Sequence, residues 1–426
     1  MNGNKATRAA AGALIIAAGL ALAAPAARAD DPIWVKQISS GPVIYKGLNV
    51  YAEAVATDAD GNIVVAGRTD GSVIGYNKGE LDAWVAKFDA NGQELWKHQP
   101  GTAGNDDARA VATDVSGNVY VAGYTPSSLY PGADPWVIKF DADGHYLWKR
   151  QPGTSENDFA AGIATDSAGN VVVVGYTEGA LGGAKKGGQY DSDAWVIKYD
   201  TDGHLLWKRQ PGTAQPDQAS GVAIDADGSI YVAGSTQGAL GGSQKGASDI
   251  FVIKFDADGH YLWKRQPAQA TRYTGAAVTT DGAGNVYLLG TATTADGKVE
   301  DQDFQVIKFD GDGRTLWKRL PGTARSDYAH GAATDPFGNL YVVGNNYISR
   351  GNGISIALVL KVDPDGHWVR LPNPYFYSPE QGFATGVATD ADGNAYVVGW
   401  TSGILGSAAP ASDDAFIAKY APAVAP

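Results

Sequence analysis

One short pattern is written seven times along this chain, and no other feature restricts the fold as strongly. It reads TDADGNIVVAG at residues 57–67 and TDADGNAYVVG at residues 389–399. The repeated aspartates are Asp58, Asp114, Asp166, Asp225, Asp281, Asp335 and Asp390. They recur with a period of about 55 residues, and a period in this range indicates a solenoid, a propeller or an array. The repeat also makes one large closed domain a simpler interpretation than two or three unrelated domains.

Each repeat has the pattern of four short strands separated by turns. In the unit that begins near Asp158, the strand-like runs are AAGIAT, VVVVGYT, DAWVIKYD and HLLWKRQ. The Gly, Asn and Asp residues between them tolerate the backbone conformations of hairpin turns. Radially repeated four-stranded antiparallel sheets are propeller blades. The sequence therefore predicts an all-β fold, a seven-bladed β-propeller of four-stranded antiparallel blades.

The two ends of the chain predict how the ring closes. The seventh copy continues through DAFIAKYA from Asp414 and lacks the outer strand with which the other copies end. The segment IWVKQ, from Ile33 to Gln37, resembles that missing strand. We therefore expect the last blade to take its outer strand from the N-terminal segment, which removes an exposed sheet edge.

The segment that precedes Asp30 differs in composition from the rest. Lys5 and Arg8 precede an apolar run, and Ala27-Arg28-Ala29 has the small-x-small pattern of a cleavage site. This predicts a signal peptide over residues 1–29 and a single propeller domain over residues 30–426, secreted or periplasmic. No later stretch is long and apolar enough to span a bilayer, so we expect no membrane insertion.

Composition excludes several function classes. The chain has no cysteine, which excludes disulfides, thiolate metal sites and a cysteine nucleophile. Its formal net charge is −13, which argues against a nucleic-acid partner because phosphates require a basic surface. The catalytic motifs G-x-S-x-G and H-E-x-x-H and the phosphate-binding P-loop are absent from the sequence.

Three motifs carry a family resemblance. They are W-K-R-Q-x-G-T, A-x-G-V-A-T-D-x-x-G-N-V-Y-V-x-G and D-A-W-V-I-K-F-D, and one copy runs as WKRQPGTSENDFAAGIATDSAGNVVVVGYT from Trp148. They resemble the SBBP family, the seven-bladed β-propeller repeat proteins of secreted and surface bacterial proteins. The resemblance covers nearly all of the chain that follows Ala29. It implies the fold but no catalytic residues, because the family has no shared catalytic motif.

The cofactor and metal hypotheses are weaker. FDADGHYLWKR is similar to the tryptophan-docking repeat of quinone-dependent dehydrogenases, but those proteins have eight blades and commonly an adjacent cysteine pair, so we expect no cofactor. The D-x-D-G turns, as at Asp58 and Asp60, place carboxylates at alternate positions as calcium loops do. No acidic ligand follows in register, so we interpret these turns as hairpins and expect no metal.

Residues that recur in most blades are interpreted as structural. An Asp precedes the third strand and a Lys lies within it, which predicts inter-blade hydrogen bonds and ion pairs. Histidines in the D-G-H turns lie on separate blades, too far apart to share one metal: His145, His204, His260 and His367. The repeated tryptophans are expected to pack in the core, with lectin-like pockets between blades as the alternative: Trp96, Trp148, Trp207, Trp263 and Trp317.

Function is expected where the copies differ. Five positions before each repeated aspartate, between small residues, the chain has Glu53, Arg109, Ala161, Ser220, Ala276, His330 and Thr385. This variability and polarity predict that the position faces the central channel. Its distinctive polar members, Glu53, Arg109, His330 and Thr385, belong to blades one, two, six and seven, which are contiguous in a closed ring.

Connection lengths break the symmetry in the same sector. The connection from the outer tryptophan to the next repeated aspartate has one length in five blades, as from Trp148 to Asp166. It is longer on entering blade seven, where Arg370 takes the tryptophan position, and longest on entering blade one. The longer segments carry the aromatics Tyr45, Tyr51, Tyr375, Phe376 and Tyr377. Aromatics on such connections suit contact with a sugar or a peptide.

These observations leave three functional hypotheses. The first is a secreted or periplasmic non-catalytic binding or scaffold propeller, expected to be a monomer, with one site for a protein, peptide or carbohydrate on blades six, seven, one and two. Its candidate residues are Glu53, Arg109, His330, Thr385, Tyr375, Phe376 and Tyr377. The second is a hydrolase or lyase with His330 as general base beside Glu53 and Arg109. The third is a multivalent lectin with several equivalent inter-blade sites.

Overall fold

A computed structural model describes residues 32–40, 48–126, 132–267, 272–294, 301–319, 326–347, 354–369, 381–403 and 413–422. The regular structure within these ranges is β-strand throughout. The predicted signal peptide, Tyr45, Arg370 and the aromatics Tyr375, Phe376 and Tyr377 lie outside the described residues.

The strands form seven four-stranded antiparallel sheets. Blade one contains β2 (Val50–Thr57), β3 (Ile63–Thr69), β4 (Asp82–Phe88) and β5 (Glu94–His98). Blade two contains β6 (Asp107–Thr113), β7 (Val119–Pro126), β8 (Ala133–Phe140) and β9 (Tyr146–Arg150). Blade three contains β10 (Asp158–Thr165), β11 (Val171–Thr177), β12 (Asp193–Tyr199) and β13 (Leu205–Arg209).

The remaining blades follow the same order. Blade four contains β14 (Asp217–Ile224), β15 (Ile230–Thr236), β16 (Asp249–Phe255) and β17 (Tyr261–Arg265). Blade five contains β18 (Arg272–Thr280), β19 (Val286–Thr294), β20 (Asp301–Phe309) and β21 (Thr315–Arg319). Blade six contains β22 (Asp327–Thr334), β23 (Leu340–Tyr347), β24 (Ser355–Val362) and β25 (Trp368–Val369). Blade seven contains β26 (Gly382–Thr389), β27 (Ala395–Thr401), β28 (Asp414–Tyr420) and β1 (Trp34–Ile38).

The first strand of every blade lies next to the first strands of both neighbouring blades, and β26 lies next to β2. The predicted seven-bladed ring is therefore confirmed. The second and third strands are buried on both faces because each blade is sandwiched between two others. This explains why their sequences are almost continuously apolar instead of alternating.

The N-terminal strand completes blade seven as expected. β1 pairs antiparallel with β28, and Trp34 lies opposite Lys419 as Trp96 lies opposite Lys87 in blade one. Gln37 Nε2 donates to Asp414 Oδ2 at 2.8 Å, which reproduces the 2.9 Å bond from Gln99 to Asp82. The strand therefore supplies the side chains of an outer strand as well as its backbone.

In blades one to five, the tryptophan of the outer strand forms a hydrogen bond with the next blade's turn. Trp148 Nε1 donates to the carbonyl of Thr201 at 3.0 Å, and Arg150 Nε donates to the carbonyl of Gly203 at 2.6 Å. Lys139 of the third strand reaches the same Thr201 carbonyl at 2.8 Å. The recurrent tryptophans thus pack at the blade interfaces and also make hydrogen bonds between blades.

The recurrent charges divide into two sets. Third-strand lysines pair with the repeated aspartate of their own blade: Lys87 to Asp58 is 2.9 Å and Lys198 to Asp166 is 2.9 Å. The aspartate that opens the third strand instead accepts a hydrogen bond from the outer-strand glutamine. The ion pairs therefore lie within blades, and the hydrogen bonds of the same lysines join neighbouring blades.

Candidate functional site

A β-bulge explains why one inner-strand position differs between blades. The pairing of β2 with β3 passes from Ala52 to Ala54 and skips Glu53. The same irregularity skips Arg109, Ala161, Ser220, His330 and Thr385. A bulge re-aims the side chain of the extra residue, here into the channel. In blade five the pairing of β18 with β19 instead skips Gly275, one residue before Ala276.

The bulge residues surround one cavity in the centre of the ring. It has a volume of about 400 Å³ and is lined by Glu53, Arg109, Ala161, Ser220, His330 and Thr385 together with the aromatics Tyr124, Phe159 and Tyr176. The structure therefore brings together the four polar residues that the sequence comparison selected. Blades three and four contribute only the small side chains of Ala161 and Ser220 at the bulge.

Two acidic and two basic side chains form a compact cluster at this cavity. Glu53 lies 2.7 Å from Arg68 and 3.8 Å from Arg109, and Asp107 lies 3.2 Å from Arg68 and 2.8 Å from Arg109. The two arginine side chains are 25% and 38% exposed, whereas Glu53 and Asp107 are 13% and 7% exposed. The arginines are therefore the more exposed members of the cluster, and Arg109 and Glu53 are the two that line the cavity.

Burial and ion pairing act in opposite directions on the charged groups of the cluster. Burial raises the pKa of Glu53, and the guanidiniums of Arg68 and Arg109 oppose that shift. Burial by itself would lower the pKa of Arg109, but Asp107 and Glu53 raise it, so Arg109 stays protonated. Tyr124 adds to the cluster because its hydroxyl donates to Asp107 at 3.2 Å.

Aromatic rings flank the charged cluster on both sides. In blades seven and one, Phe383 stacks on Trp400 with ring centroids 4.3 Å apart, and Trp400 meets Tyr51 edge-on at 5.3 Å. Arg68 lies over the Tyr51 ring at 5.1 Å. In blades two and three, the corresponding aromatic rings belong to Tyr124, Phe159 and Tyr176.

The rings of blades two and three contact one another and Arg109, so they continue the row of side chains that begins in blade seven. Tyr124 meets Phe159 edge-on at 5.0 Å, and Phe159 stacks on Tyr176 at 4.8 Å. Arg109 lies over the Tyr124 ring at 5.7 Å. We call this set the mouth band, and it consists of Phe383, Trp400, Tyr51, Arg68, Glu53, Asp107, Arg109, Tyr124, Phe159 and Tyr176. It follows blades seven, one, two and three, so it overlaps the sector expected from sequence in three blades of four.

His330 lies on the far side of the same cavity. Asn345 Nδ2 donates to Ser355 Oγ at 2.7 Å, which orients the amide so that its Oδ1 accepts from His330 Nε2 at 2.6 Å. The Nδ1 atom is then the basic nitrogen of the ring. The ring is exposed to the channel yet surrounded by protein, and this desolvation lowers its pKa, so His330 is neutral at physiological pH.

Thr385 has a structural bond. Its hydroxyl donates to the carbonyl of Ala52 at 2.8 Å, which joins blade seven to blade one. Of the four polar residues selected from sequence, Thr385 therefore has its donor engaged in closing the ring, whereas Glu53 and Arg109 belong to the charged cluster and His330 faces the cavity.

Comparing blades at one position alone missed most of the mouth band. The residue after the glycine of the second strand is also variable, and in chain order it is Arg68, Tyr124, Tyr176, Ser235, Thr291, Asn345 and Trp400. It pairs with the start of the inner strand beside the channel, as Arg68 does opposite Tyr51. The comparison that selected Glu53 and Arg109 would have selected these residues had it been extended to the second strand.

Metal-ligand geometry occurs at one turn in the described part of the chain. Single ligand atoms of Asp141, Asp143 and His145 lie within 4.8 Å of one another, on an exposed turn of blade two. His145 Nδ1 is 2.9 Å from Asp141 Oδ2. In the D-x-D-G turns of the repeat start, protein donors take up the carboxylate instead: Asp58 accepts bonds from the backbone of Asp60 at 3.0 Å and of Asn62 at 2.9 Å.

Comparison with known protein families identifies the same repeat that the sequence analysis found. The sequence model of the SBBP family, described as a beta-propeller repeat, matches residues 95–131, 147–182, 206–242 and 382–406. The resemblance stated from the motifs is confirmed, and the chain contains SBBP beta-propeller repeats. Among the residues that the structure describes, no helix is long and apolar enough to cross a membrane.

Two curated proteins share part of the sequence. The regulatory protein FlaEY of Caulobacter vibrioides is 27% identical over 160 residues, which cover 35% of this chain and 16% of that protein. An uncharacterized WD repeat-containing protein of Acanthamoeba polyphaga mimivirus is 22% identical over 231 residues, which cover 40% of this chain and 16% of that protein. The chain thus spans about one sixth of the length of each of these relatives.

Solved propellers share the architecture at low identity. Sqt1 from Chaetomium thermophilum is 11% identical with a TM-score of 0.45, and the match covers 88% of this chain and 99% of that one. The β-propeller domain of the Trilobed protease from Pyrococcus furiosus is 10% identical with a TM-score of 0.49, covering 88% and 93%. An ulvan lyase of a new polysaccharide lyase family is 11% identical with a TM-score of 0.48, covering 91% and 96%. None of these likenesses carries an inference about what this chain binds.

Proposed function

We propose that this seven-bladed propeller of SBBP repeats is a non-catalytic binding module that works outside the cytoplasm and holds one ligand across the mouth of its channel. The observation that carries the proposal is the continuity of the mouth band. Six aromatic rings and two partly exposed guanidiniums follow one another over blades seven, one, two and three. The corresponding places in blade four are occupied by Gln218 and Ser235, so the band ends at blade three.

The chemistry of the band supports a peptide, a protein segment or a carbohydrate as ligand. Half-buried aromatic rings offer flat apolar surfaces to sugar faces or to apolar side chains, and they lose little conformational entropy on binding. The guanidiniums between them offer several N–H donors in a fixed geometry to carboxylate or hydroxyl groups. A ligand long enough to contact both aromatic clusters would cross the cations in the middle.

Binding is favoured over catalysis by the state of the carboxylates. A general acid or base must be able to exchange a proton with the substrate. Glu53 and Asp107 are each held by the same two arginines and are less exposed than those arginines. The ion pairs with Arg68 and Arg109 therefore oppose proton exchange by both carboxylates, against the burial that raises the pKa of Glu53.

One observation favours the enzyme as a second candidate. His330 is neutral, its Nδ1 is the basic nitrogen, and it lines the same cavity as Arg109. In a hydrolase or lyase it would accept the proton while Arg109 stabilised the developing negative charge. Conversion of a bound glycan or ester to product that is lost in His330→Gln, with binding retained, would favour this candidate over the first.

The proposed function is tested by a binding screen followed by calorimetry. The chain from Pro32 onward is screened against glycan and peptide arrays, and hits are titrated for affinity and stoichiometry. We expect one site per chain, and we expect Arg109→Ala or Phe159→Ala to weaken binding by about 1 to 2 kcal/mol. Ser220→Ala, in the same cavity but outside the band, is the matched control and should change little.

Two outcomes would contradict the proposal. Affinity that is unchanged in Arg109→Ala and Phe159→Ala would remove the mouth band as the site. Several equivalent sites per chain would instead support the multivalent lectin with inter-blade sites.

The location outside the cytoplasm rests on the segment that precedes Asp30. We expect the protein recovered from an expressing bacterium to begin at Asp30, because the small-x-small pattern ends at Ala29. N-terminal sequencing of the exported protein checks this, and an intact N-terminus in the cytoplasmic fraction would contradict it.

A further inference from the structure

A second pocket lies away from the channel, between the outer parts of blades one and two. Its volume is about 340 Å³, which suits one small organic molecule. Its aromatic wall is formed by Trp136, Phe140 and Tyr146 of blade two, and His98 of blade one closes one side. It shares no lining residue with the channel cavity.

Blade one differs from other blades at one repeat position, and this difference accounts for the space in the pocket. Four other blades have an arginine where blade one has His98: Arg150, Arg209, Arg265 and Arg319. Arg209 spreads over the next blade's turn, where its Nε donates to Gly259 at 2.8 Å and its Nη2 to Asp258 at 3.4 Å. His98 keeps only the first bond, from Nε2 to the carbonyl of Gly144 at 2.7 Å, and its ring stacks on Phe140 at 4.9 Å.

In blades three and four, Arg209 lies close to Tyr261, the counterpart of the pocket residue Tyr146. Arg209 is near enough to Tyr261, the counterpart of Tyr146, for its charge to oppose the burial that raises the pKa of Tyr261. In blade two, Tyr146 is 61% exposed. The shorter histidine therefore leaves open the space beside Tyr146 that an arginine occupies in other blades.

Two lysines converge on this pocket. Lys78 comes from the loop before β4, and Lys149 comes from β9 with its ammonium 5.9 Å from the Trp136 ring centroid. The only acid in the lining, Asp106, is buried and accepts bonds from Thr102 and Thr125. Trp136 and Phe140 are buried, so the groups left to meet a ligand are the ring of Tyr146, His98 and the two cations.

Lys78 and Lys149 line the same pocket, and both have counterparts in blades three and four. Lys186 occupies the place of Lys78, since its N–H donates to Asp193 at 2.8 Å as that of Lys78 donates to Asp82 at 2.9 Å. Lys264 occupies the place of Lys149. Burial and then the charge of Lys186 lower the pKa of Lys264, so the two ammoniums are near each other. Like charges held together favour an anion between them.

We propose that the pocket between blades one and two binds a small organic anion that carries a carboxylate on a flat body with an apolar face. The carboxylate lies between Lys78 and Lys149, and the flat face packs on the exposed ring of Tyr146. A sugar acid and an aromatic acid share this chemistry. Blades three and four have the same lysines and aromatic rings but no room, because Arg209 fills the space.

The test uses sodium glucuronate and sodium benzoate as probes, with glucose as the neutral comparison, and measures affinity and stoichiometry by NMR titration of the chain from Pro32 onward. We expect at least one acid to bind, with glucose weaker by about tenfold or more, the ratio expected for a lost charge-assisted bond. His98→Arg, which restores the residue of the other blades, should abolish this site without lowering the melting temperature. Lys149→Gln should weaken acid binding and leave any glucose binding unchanged.

The reciprocal variant is Arg209→His. It should open a second site lined by Lys186, Lys264 and Tyr261, and raise the stoichiometry of the same acid by one per chain. Neither substitution touches the mouth band, so these changes report on this pocket alone and are independent of the proposed function. The inference is overturned if neither acid binds, if glucose binds equally well, or if His98→Arg leaves acid binding unchanged. Which of the two acids binds identifies the source of the carboxylate.

Discussion

The glycine of the turn between the third and fourth strands fixes how closely neighbouring blades approach. Gly144 has a φ of 88°, and a Cβ added there would lie 2.8 Å from the Trp96 ring of blade one. Gly259 has the same relation to Trp207, at 2.7 Å. The tryptophan, the glycine and the hydrogen bond to the turn carbonyl therefore form one unit, which is why all three recur in the repeat.

The first prediction separates backbone strain from this contact. Gly144→Ala forces a left-handed backbone on alanine and drives its methyl group into Trp96, so we expect a loss of about 3 kcal/mol in the free energy of unfolding. Gly61→Ala has a similar φ of 77° but nothing within 4 Å of the new Cβ, and should lose only about 1 kcal/mol. Urea denaturation measures both, and equal losses would show that the tryptophan contact contributes nothing.

The second prediction concerns a buried ion pair. The side chains of Lys198 and Asp166 are 4% and 9% exposed and lie 2.9 Å apart. Burial would raise the pKa of Asp166, but hydrogen bonds from Asn170 and Lys198 outweigh it and lower the pKa. Asp166→Asn leaves the lysine charge buried and unpaired, so we expect a loss of about 3 to 5 kcal/mol at neutral pH.

The pH dependence of this loss follows from the sign of the shift. A carboxyl group with a lowered pKa in the folded state stabilises the protein above its ordinary pKa and loses that contribution as the pH falls. The difference between the parent and Asp166→Asn should therefore shrink as the pH drops below about 4. Asp60→Asn, at an exposed turn position, is the control and should differ from the parent by less than about 0.5 kcal/mol. A difference that grows in acid would contradict the assignment.

At the scale of strands, sequence patterns predicted most of the architecture. Strand runs, turns and the closing strand could be read because the same physical demands recur in each blade: apolar strands between two neighbours, and glycines where φ is positive. The bulge could not be read, because its position depends on how two strands pair. In blade five, spacing from the repeated aspartate selects Ala276, whereas the pairing skips Gly275. The mouth band needed the pairing too, since Arg68 lies beside Glu53 only through the register of β2 and β3.

The third prediction tests the closing strand. A chain that begins at Ser39 lacks β1, so it exposes the edge of β28 and removes the Gln37 donor from buried Asp414. We expect aggregation or a loss of about 5 kcal/mol, comparable with the whole stability of a marginal domain. A chain that begins at Pro32 keeps β1 and should melt like the longer protein. Equal melting of the two truncated chains would contradict closure by the N-terminal strand.

At the scale of the whole molecule, symmetry and its breaks have separate roles. Positions that are the same in each blade, such as the tryptophan and the third-strand lysine, join the blades. Positions that differ, such as the bulge residues, give one sector an aromatic and cationic surface. His98 is the same kind of break at the rim, where one changed residue opens a pocket that its counterparts fill.

The last prediction concerns cooperativity around the ring. Threonines at the ends of the inner strands donate to the carbonyl of the preceding blade: Thr113 to Thr57 at 2.8 Å and Thr165 to Thr113 at 2.7 Å. Thr57 donates to Thr389 at 2.8 Å and so links the first blade to the last.

Because every blade is held by two neighbours and no blade is terminal, we expect a single calorimetric transition for the chain from Pro32 onward. Thr57→Val, which removes the link across the closure, should lower that transition by about 1 kcal/mol without splitting it. Ile224→Val is the control, since blade four already has no hydroxyl at this position. Two separated transitions, or a calorimetric enthalpy well above the van 't Hoff enthalpy, would mean that groups of blades unfold independently and that the ring does not act as one domain.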